Sequence, residues 1–203
     1  MEEFGIGYDL VISEIPEGVR VLDLGCGDGT LLTLLQEKKG VRGFGVEISE
    51  EGVSLCVEKG IYCYQADIDE GLSDYRDNSF DYVILNQTIQ NTKRPDYVIR
   101  EVLRIGKKAI ISFPNFGYYR TRAFLMFRGT MPVNDLLPYQ WYDSPNIHLL
   151  TIKDMTEMTS EFSFKILSEK HFSVTRGGKS KVINHIPNLL AQYGLFVIES
   201  IDN

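Results

Sequence analysis

Gly25, Gly27 and Gly29 stand two apart and directly follow an apolar run, Val19-Arg20-Val21-Leu22-Asp23-Leu24. Glycine takes positive φ without steric cost and lets a ligand touch the backbone. A bare loop that closes a first strand and opens a helix is a device for holding a nucleotide-like ligand. Carboxylates accompany it in chain order: Asp23 before the loop, Glu47 about 20 residues on, and Asp67 a similar distance further. The second can chelate ribose hydroxyls. The third can accept from an adenine amino group, with Ile68 against the ring, and it disfavours ligands that leave it unpaired. Dinucleotide loops space their glycines Gly-x-Gly-x-x-Gly, which this chain does not.

Asn86 and Gln87, at the tip of an expected fourth strand, are candidates for the wall of a cofactor or acceptor pocket. An oxygen acceptor would need a base, for which His148, Tyr118 and Tyr119 are the candidates. No group of residues forms a catalytic constellation by spacing. There is no Gly-x-Ser-x-Gly elbow for acyl transfer, no cysteine follows a proline, and Asn86-Gln87-Thr88-Ile89-Gln90 stands where a base-amino methyltransferase would carry Asn/Asp-Pro-Pro-aromatic. Cys26, Cys56 and Cys63 lack a Cys-x-x-Cys pair, and His148, His171 and His185 lack ligand spacing, so no metal site is expected.

The elements that must position these residues alternate. Helical spacing at 6–15 ends at Pro16, and strand one is 19–24. A helix at about 29–38 turns Leu31, Leu32, Leu34 and Leu35 inward. Strand two, 42–46, is followed by a helix after Ser49 with Val53, Leu55, Cys56 and Val57. Strands follow at about 61–65, 80–85 and 108–113, with a helix from about Pro95 to Arg104 between the last two. This alternation predicts an α/β protein with a single doubly wound, mostly parallel sheet. Apolar runs at about 163–169 and 195–201 are candidate final strands, a hairpin-like pair with the last one antiparallel.

Between Asn115 and Leu150 the pattern breaks into an irregular stretch rich in aromatics and proline, a lid, a binding surface or a cap on the core. The 203 residues suit one domain, 1–203, and 43% hydrophobic with 24% charged residues is ordinary for a soluble protein. A net charge of −7 gives no reason to bind nucleic acid or an anionic membrane. The basic stretch Lys170–Lys181, with Arg176 and Gly177-Gly178, reads as a solvated loop. Odd, unpaired cysteines and no signal or membrane segment fit a soluble cytoplasmic protein.

Asp23-x-Gly25-x-Gly27-x-Gly29, then Glu47, then Asp67 resembles the S-adenosylmethionine site of class I methyltransferases. Further blocks bring the likeness closer: Tyr8-Asp9-Leu10, Val21 through Leu32, Asn86 through Gln90, Ser112-Phe113-Pro114-Asn115-Phe116, Trp141 through His148, and Asn188-Leu189-Leu190-Ala191. Together they resemble the methionine biosynthesis protein MetW family along nearly the whole chain. The resemblance implies a methyltransferase fold that binds S-adenosylmethionine or S-adenosylhomocysteine at Asp23, Gly25, Cys26, Gly27, Gly29, Glu47, Ile48, Asp67, Ile68, Asn86 and Gln87. It also implies work beside the homoserine O-acyltransferase MetX, to support or regulate homoserine acylation. The absent nucleophile elbow suits that division, and the aromatic stretch is then a docking surface. The other reading is a methyltransferase acting on a small-molecule acceptor.

Overall fold

The run ahead of the glycine loop is β1 (Arg20–Leu24), which lies inside an eight-stranded sheet. A computed structural model describes residues 5–134, 136–175 and 179–201. Helix α1 (Tyr8–Glu14) precedes β1, and α2 (Thr30–Lys39) follows the loop. Then come β2 (Arg42–Glu47), α3 (Glu50–Glu58), β3 (Tyr62–Gln65), β4 (Phe80–Asn86), α4 (Pro95–Ile105) and β5 (Gly106–Pro114). The second half holds α5 (Tyr119–Arg128), α6 (Ile152–Glu157), β6 (Phe164–Val174), β7 (Ser180–Val182), α7 (Pro187–Leu190) and β8 (Tyr193–Ser200).

The strand order is β3-β2-β1-β4-β5-β8-β6-β7. The five N-terminal strands pair in parallel, and β8 runs antiparallel to both β5 and β6. The doubly wound sheet and its antiparallel last strand are thus as the sequence predicts. The two late strands do pair, but they are not a hairpin, because β7 and α7 lie between them in the chain.

Alternation along the strands sorts the core into two layers. Val21, Ile84 and Ile110 face α1 and α2, where Leu31, Leu32, Leu34 and Leu35 are buried as expected. Leu22, Leu24, Val83, Leu85 and Ile111 face α4, whose Val98, Ile99, Val102 and Leu103 form one stripe. Pro95 stands in the first turn of α4, where its missing N–H has no intrahelical partner to lose.

The helix expected after Ser49 is α3, and the expectation for the basic stretch needs correction. Ser49 does cap α3, accepting from the Gly52 N–H at 2.9 Å, but only Gly52 and Cys56 of that helix are buried. Helix α3 packs on β2 and on the edge strand β3, so a narrower stripe meets the core than Val53, Leu55 and Val57 suggest. The basic stretch is also more than a loop. Lys170 lies in β6 and pairs with Glu14 at 2.5 Å, while Ser180–Val182 adds a strand held by backbone pairing and by Ser180 Oγ donating to Asp9. Arg176, Gly177 and Gly178 lie outside the described residues. No helix of the described residues is long and apolar enough to cross a membrane.

Candidate cofactor site

The loop takes its shape from backbone that glycine adopts most readily: φ is 75° at Gly25, 57° at Gly27 and 75° at Gly29. A Cβ on Gly25 would stand 2.7 Å from Thr88 Cγ2, so bare backbone leans against the turn after β4. Gly25 and Cys26 donate their N–H groups to the Val46 carbonyl at 2.8 and 3.1 Å. Glu47 then ties the loop down. Its Oε2 accepts from the Gly27 N–H and its Oε1 from the Ser49 N–H, each at 2.9 Å. That tether is a role the sequence reading missed. It leaves further acceptor capacity, since an ionised carboxylate offers about four lone-pair sites.

A cleft of about 330 Å³ opens over the carboxyl ends of the parallel strands. Its walls bring together Gly25, Glu47, Ile48, Asp67, Ile68, Asn86 and Gln87, and they add Asp69, Thr88 and Lys93. Strand order reverses between β1 and β4, where doubly wound sheets bind their ligands. Asp67 Oδ1 accepts from the Asp69 N–H at 2.9 Å, and its Oδ2 lies 3.6 Å from Lys93 Nζ. Asp69 accepts from the N–H groups of Lys93 and Arg94 and so fixes the entry to α4.

Cys26, Gly27, Gly29 and Asp23 do not line the cleft. Asp23 is buried beneath the loop, and its Oδ1 has no hydrogen-bond partner among the described residues. Burial, and then the nearby Glu47 charge, push its pKa up to about 7. Beside it, burial and then the Asp23 carboxyl raise the Tyr8 hydroxyl above the ordinary phenol range. The segment before α1 also crosses the tip of β4, where Asn86 Nδ2 donates to the Ile6 carbonyl at 3.4 Å.

Gln87 sits at φ 57° and is held by Ser112: its N–H donates to the Ser112 carbonyl at 3.0 Å and its Nε2 to Ser112 Oγ at 3.0 Å. Gln90 is buried, and its Nε2 donates to the Gln87 carbonyl at 2.6 Å. The Gln90 carbonyl accepts from the N–H groups of Ile147 and His148 at 2.8 and 2.9 Å, which pins the far end of the aromatic stretch to the cleft wall. Gln90 and Thr88 carry no signal of their own beyond the Asn86–Gln90 block, and Ser112 none beyond the Ser112–Phe116 block.

Of the candidate bases, His148 lines a separate cleft of about 260 Å³ with Ile89, Ile99 and Met155. Tyr118 is buried, its ring set edge-on to Tyr119 at 4.8 Å. The stretch from 115 to 150 is also less irregular than its composition suggests, because Tyr119–Arg128 is helical. The cysteines converge although their spacing gives no hint of it: Cys26 Sγ lies 3.7 Å from Cys56 Sγ and 3.6 Å from Cys63 Sγ. Burial pushes the Cys56 thiol up to about 11 and the Cys26 thiol well above the ordinary thiol range.

A fold of this kind, with a glycine loop and a cleft at the strand-order reversal, is that of the class I S-adenosylmethionine-dependent methyltransferases. A crystal structure of such a methyltransferase from Thermotoga maritima superposes with a TM-score of 0.70 at 16% identity, covering 95% of this chain and 87% of that one. The sequence profile of the methionine biosynthesis protein MetW matches residues 6–198, and the chain belongs to that family. The bifunctional methionine biosynthesis protein MetXA/MetW of Rhodopirellula baltica is 34% identical over 195 residues, or 92% of this chain; the match spans 31% of that longer protein. A demethylmenaquinone methyltransferase of Bacillus licheniformis is 25% identical over 173 residues, covering 76% of this chain and 74% of that protein.

Proposed function

We propose that the chain binds S-adenosylmethionine or S-adenosylhomocysteine in the cleft and acts with a homoserine O-acyltransferase of the MetX type, supporting or regulating homoserine acylation. The residues suit the ligand. Bare backbone at Gly25 admits close approach, where a Cβ would meet Thr88. Glu47 keeps lone pairs for ribose hydroxyls, and Asp67 for the adenine amino group between Ile48 and Ile68. Asn86 and Gln87 bound the amino-acid end. When bound, S-adenosylmethionine supplies a methyl group on a sulfonium and, as a derivative of the pathway's end product, a measure of methionine supply.

The observation that carries the partnership is the Rhodopirellula relative, whose name joins MetXA and MetW in one chain. The test measures homoserine acylation by the acyltransferase with and without this chain while S-adenosylhomocysteine is followed. Acylation that rises without S-adenosylhomocysteine formation supports the reading. Acylation unmoved by the chain, with or without cofactor, overturns it.

The aromatic stretch supplies a surface for such a partner. Phe127, Trp141 and Tyr142 are 79%, 75% and 71% exposed. Aromatic anchors of this type concentrate binding energy at interfaces. Tyr118 belongs to the core and is no part of it. Replacing Phe127, Trp141 and Tyr142 with serine is expected to weaken complex formation by about 2 kcal/mol or more, close to thirtyfold, in a pull-down or calorimetric titration. Full retention of the complex would remove this surface from the proposal.

The second reading is methyl transfer to a small acceptor. The separate cleft with His148 on its wall favours it, as does the likeness to the Bacillus methyltransferase. S-adenosylhomocysteine appearing on addition of an acceptor, with acylation unchanged, would establish it.

A further inference from the structure

We infer that Cys26, Cys56 and Cys63 form a three-thiolate site for a soft d¹⁰ cation, zinc(II) or copper(I), directly beneath the glycine loop. Three elements deliver the sulfurs: Cys26 from the loop itself, Cys56 from α3 and Cys63 from β3. All three sulfurs lie within 4.8 Å of one another, with Cys26 at 3.7 and 3.6 Å from the other two. Tetrahedral zinc with Zn–S bonds of 2.3 Å holds its sulfurs about 3.8 Å apart, so little movement separates this arrangement from a coordinated one.

Two glycines stand against the sulfurs. A Cβ on Gly45 would stand 2.5 Å from Cys26 Sγ and 3.4 Å from Cys63 Sγ, and one on Gly29 would stand 2.9 Å from Cys56 Sγ. Among the described residues no histidine or carboxylate completes the group. A donor set of sulfur alone selects soft cations, copper(I) in a three-coordinate site or zinc with water in a fourth position. Cys63 is only half-buried, which leaves an approach from solvent, whereas Cys26 and Cys56 are closed in. Binding replaces S–H protons with metal–sulfur bonds and releases those protons to water, with no change of oxidation state.

The competing account treats the thiols as small core hydrophobes, since Cys26 and Cys56 also touch the α2 layer. Packing alone demands no shared vertex of three sulfurs, and it predicts no metal affinity. The site stands whether or not the cleft binds S-adenosylmethionine, because its ligands include none of the cleft's walls.

The test uses the full chain, reduced and metal-free, titrated with zinc(II) and separately with copper(I) against chromophoric chelators. One equivalent is expected to bind, and cadmium(II) is expected to give a thiolate charge-transfer band. Cys56→Ser and Cys63→Ser should each lower affinity by more than about tenfold, the least that loss of even an outer-shell partner brings. Should Cys56→Ser fail to fold, Cys63→Ser, on an exposed edge strand, decides the matter alone. Failure of both ions to bind stoichiometrically, or wild-type affinity in Cys63→Ser, overturns the site. The ion that competes better against its chelator identifies the occupant.

Discussion

Asparagine at Asp23 is expected to make the ligand-free protein more stable at pH 8, by about 4 kcal/mol, and to leave it little changed at pH 4. The carboxyl is buried beside Glu47, which pushes its pKa up to about 7, while in the unfolded chain it titrates near 4. Below about pH 4 both states hold the proton and the carboxyl carries no charge penalty. From there to about pH 7 the unfolded chain has released its proton and the folded chain has kept it, so stability falls as pH rises. Above about 7 both states are ionised and the loss levels off. Asparagine has no proton to lose, so urea melts of the two proteins should diverge across this window. Parallel profiles from pH 4 to pH 8 would show that Asp23 is not the source.

Alanine at Glu47 is expected to lower affinity for S-adenosylhomocysteine by about 1–3 kcal/mol, with Asp67→Ala falling in the same range. The Glu47 effect has two parts. It removes the acceptor that the proposed complex assigns to ribose hydroxyls, and it leaves the N–H groups of Gly27 and Ser49 without the oxygens that hold them. Glu47→Gln keeps one acceptor oxygen and should lose less. The loosened loop should also show faster amide exchange at Gly27 in the alanine variant, even without ligand. Calorimetric titration giving wild-type affinity in both Glu47→Ala and Asp67→Ala would refute this placement of the cofactor.

What the sequence disclosed was the part written in local pattern. The apolar run and spaced glycines gave β1, its loop and α2 to within a residue or so, and alternation gave the parallel half of the sheet. The acidic positions could be placed at strand ends because strand ends mark themselves, so Glu47 and Asp67 reach one cleft as expected. What stayed hidden depended on contacts between distant residues. Cys26 and Cys63 are 37 positions apart and meet only because β1, β2 and β3 are adjacent. Three-residue β7 has no alternation of its own and exists only as a partner for the end of β6. Tyr118 and Tyr119 are neighbours of one chemical type, and only the direction in which α5 leaves β5 decides that the first is buried and the second is not. The burial of Asp23 under the loop was equally invisible, because in a motif it looks like any strand-end acid.

Gln90 joins the cleft to the surface segment. Through its side chain it grips the Gln87 carbonyl at the cleft, and through its own carbonyl it anchors Ile147 and His148 at the root of the exposed rings. One residue thus acts as a common hinge pin. The turn after β4 and the segment that follows the exposed rings are thereby fastened to each other through a single buried side chain and its backbone.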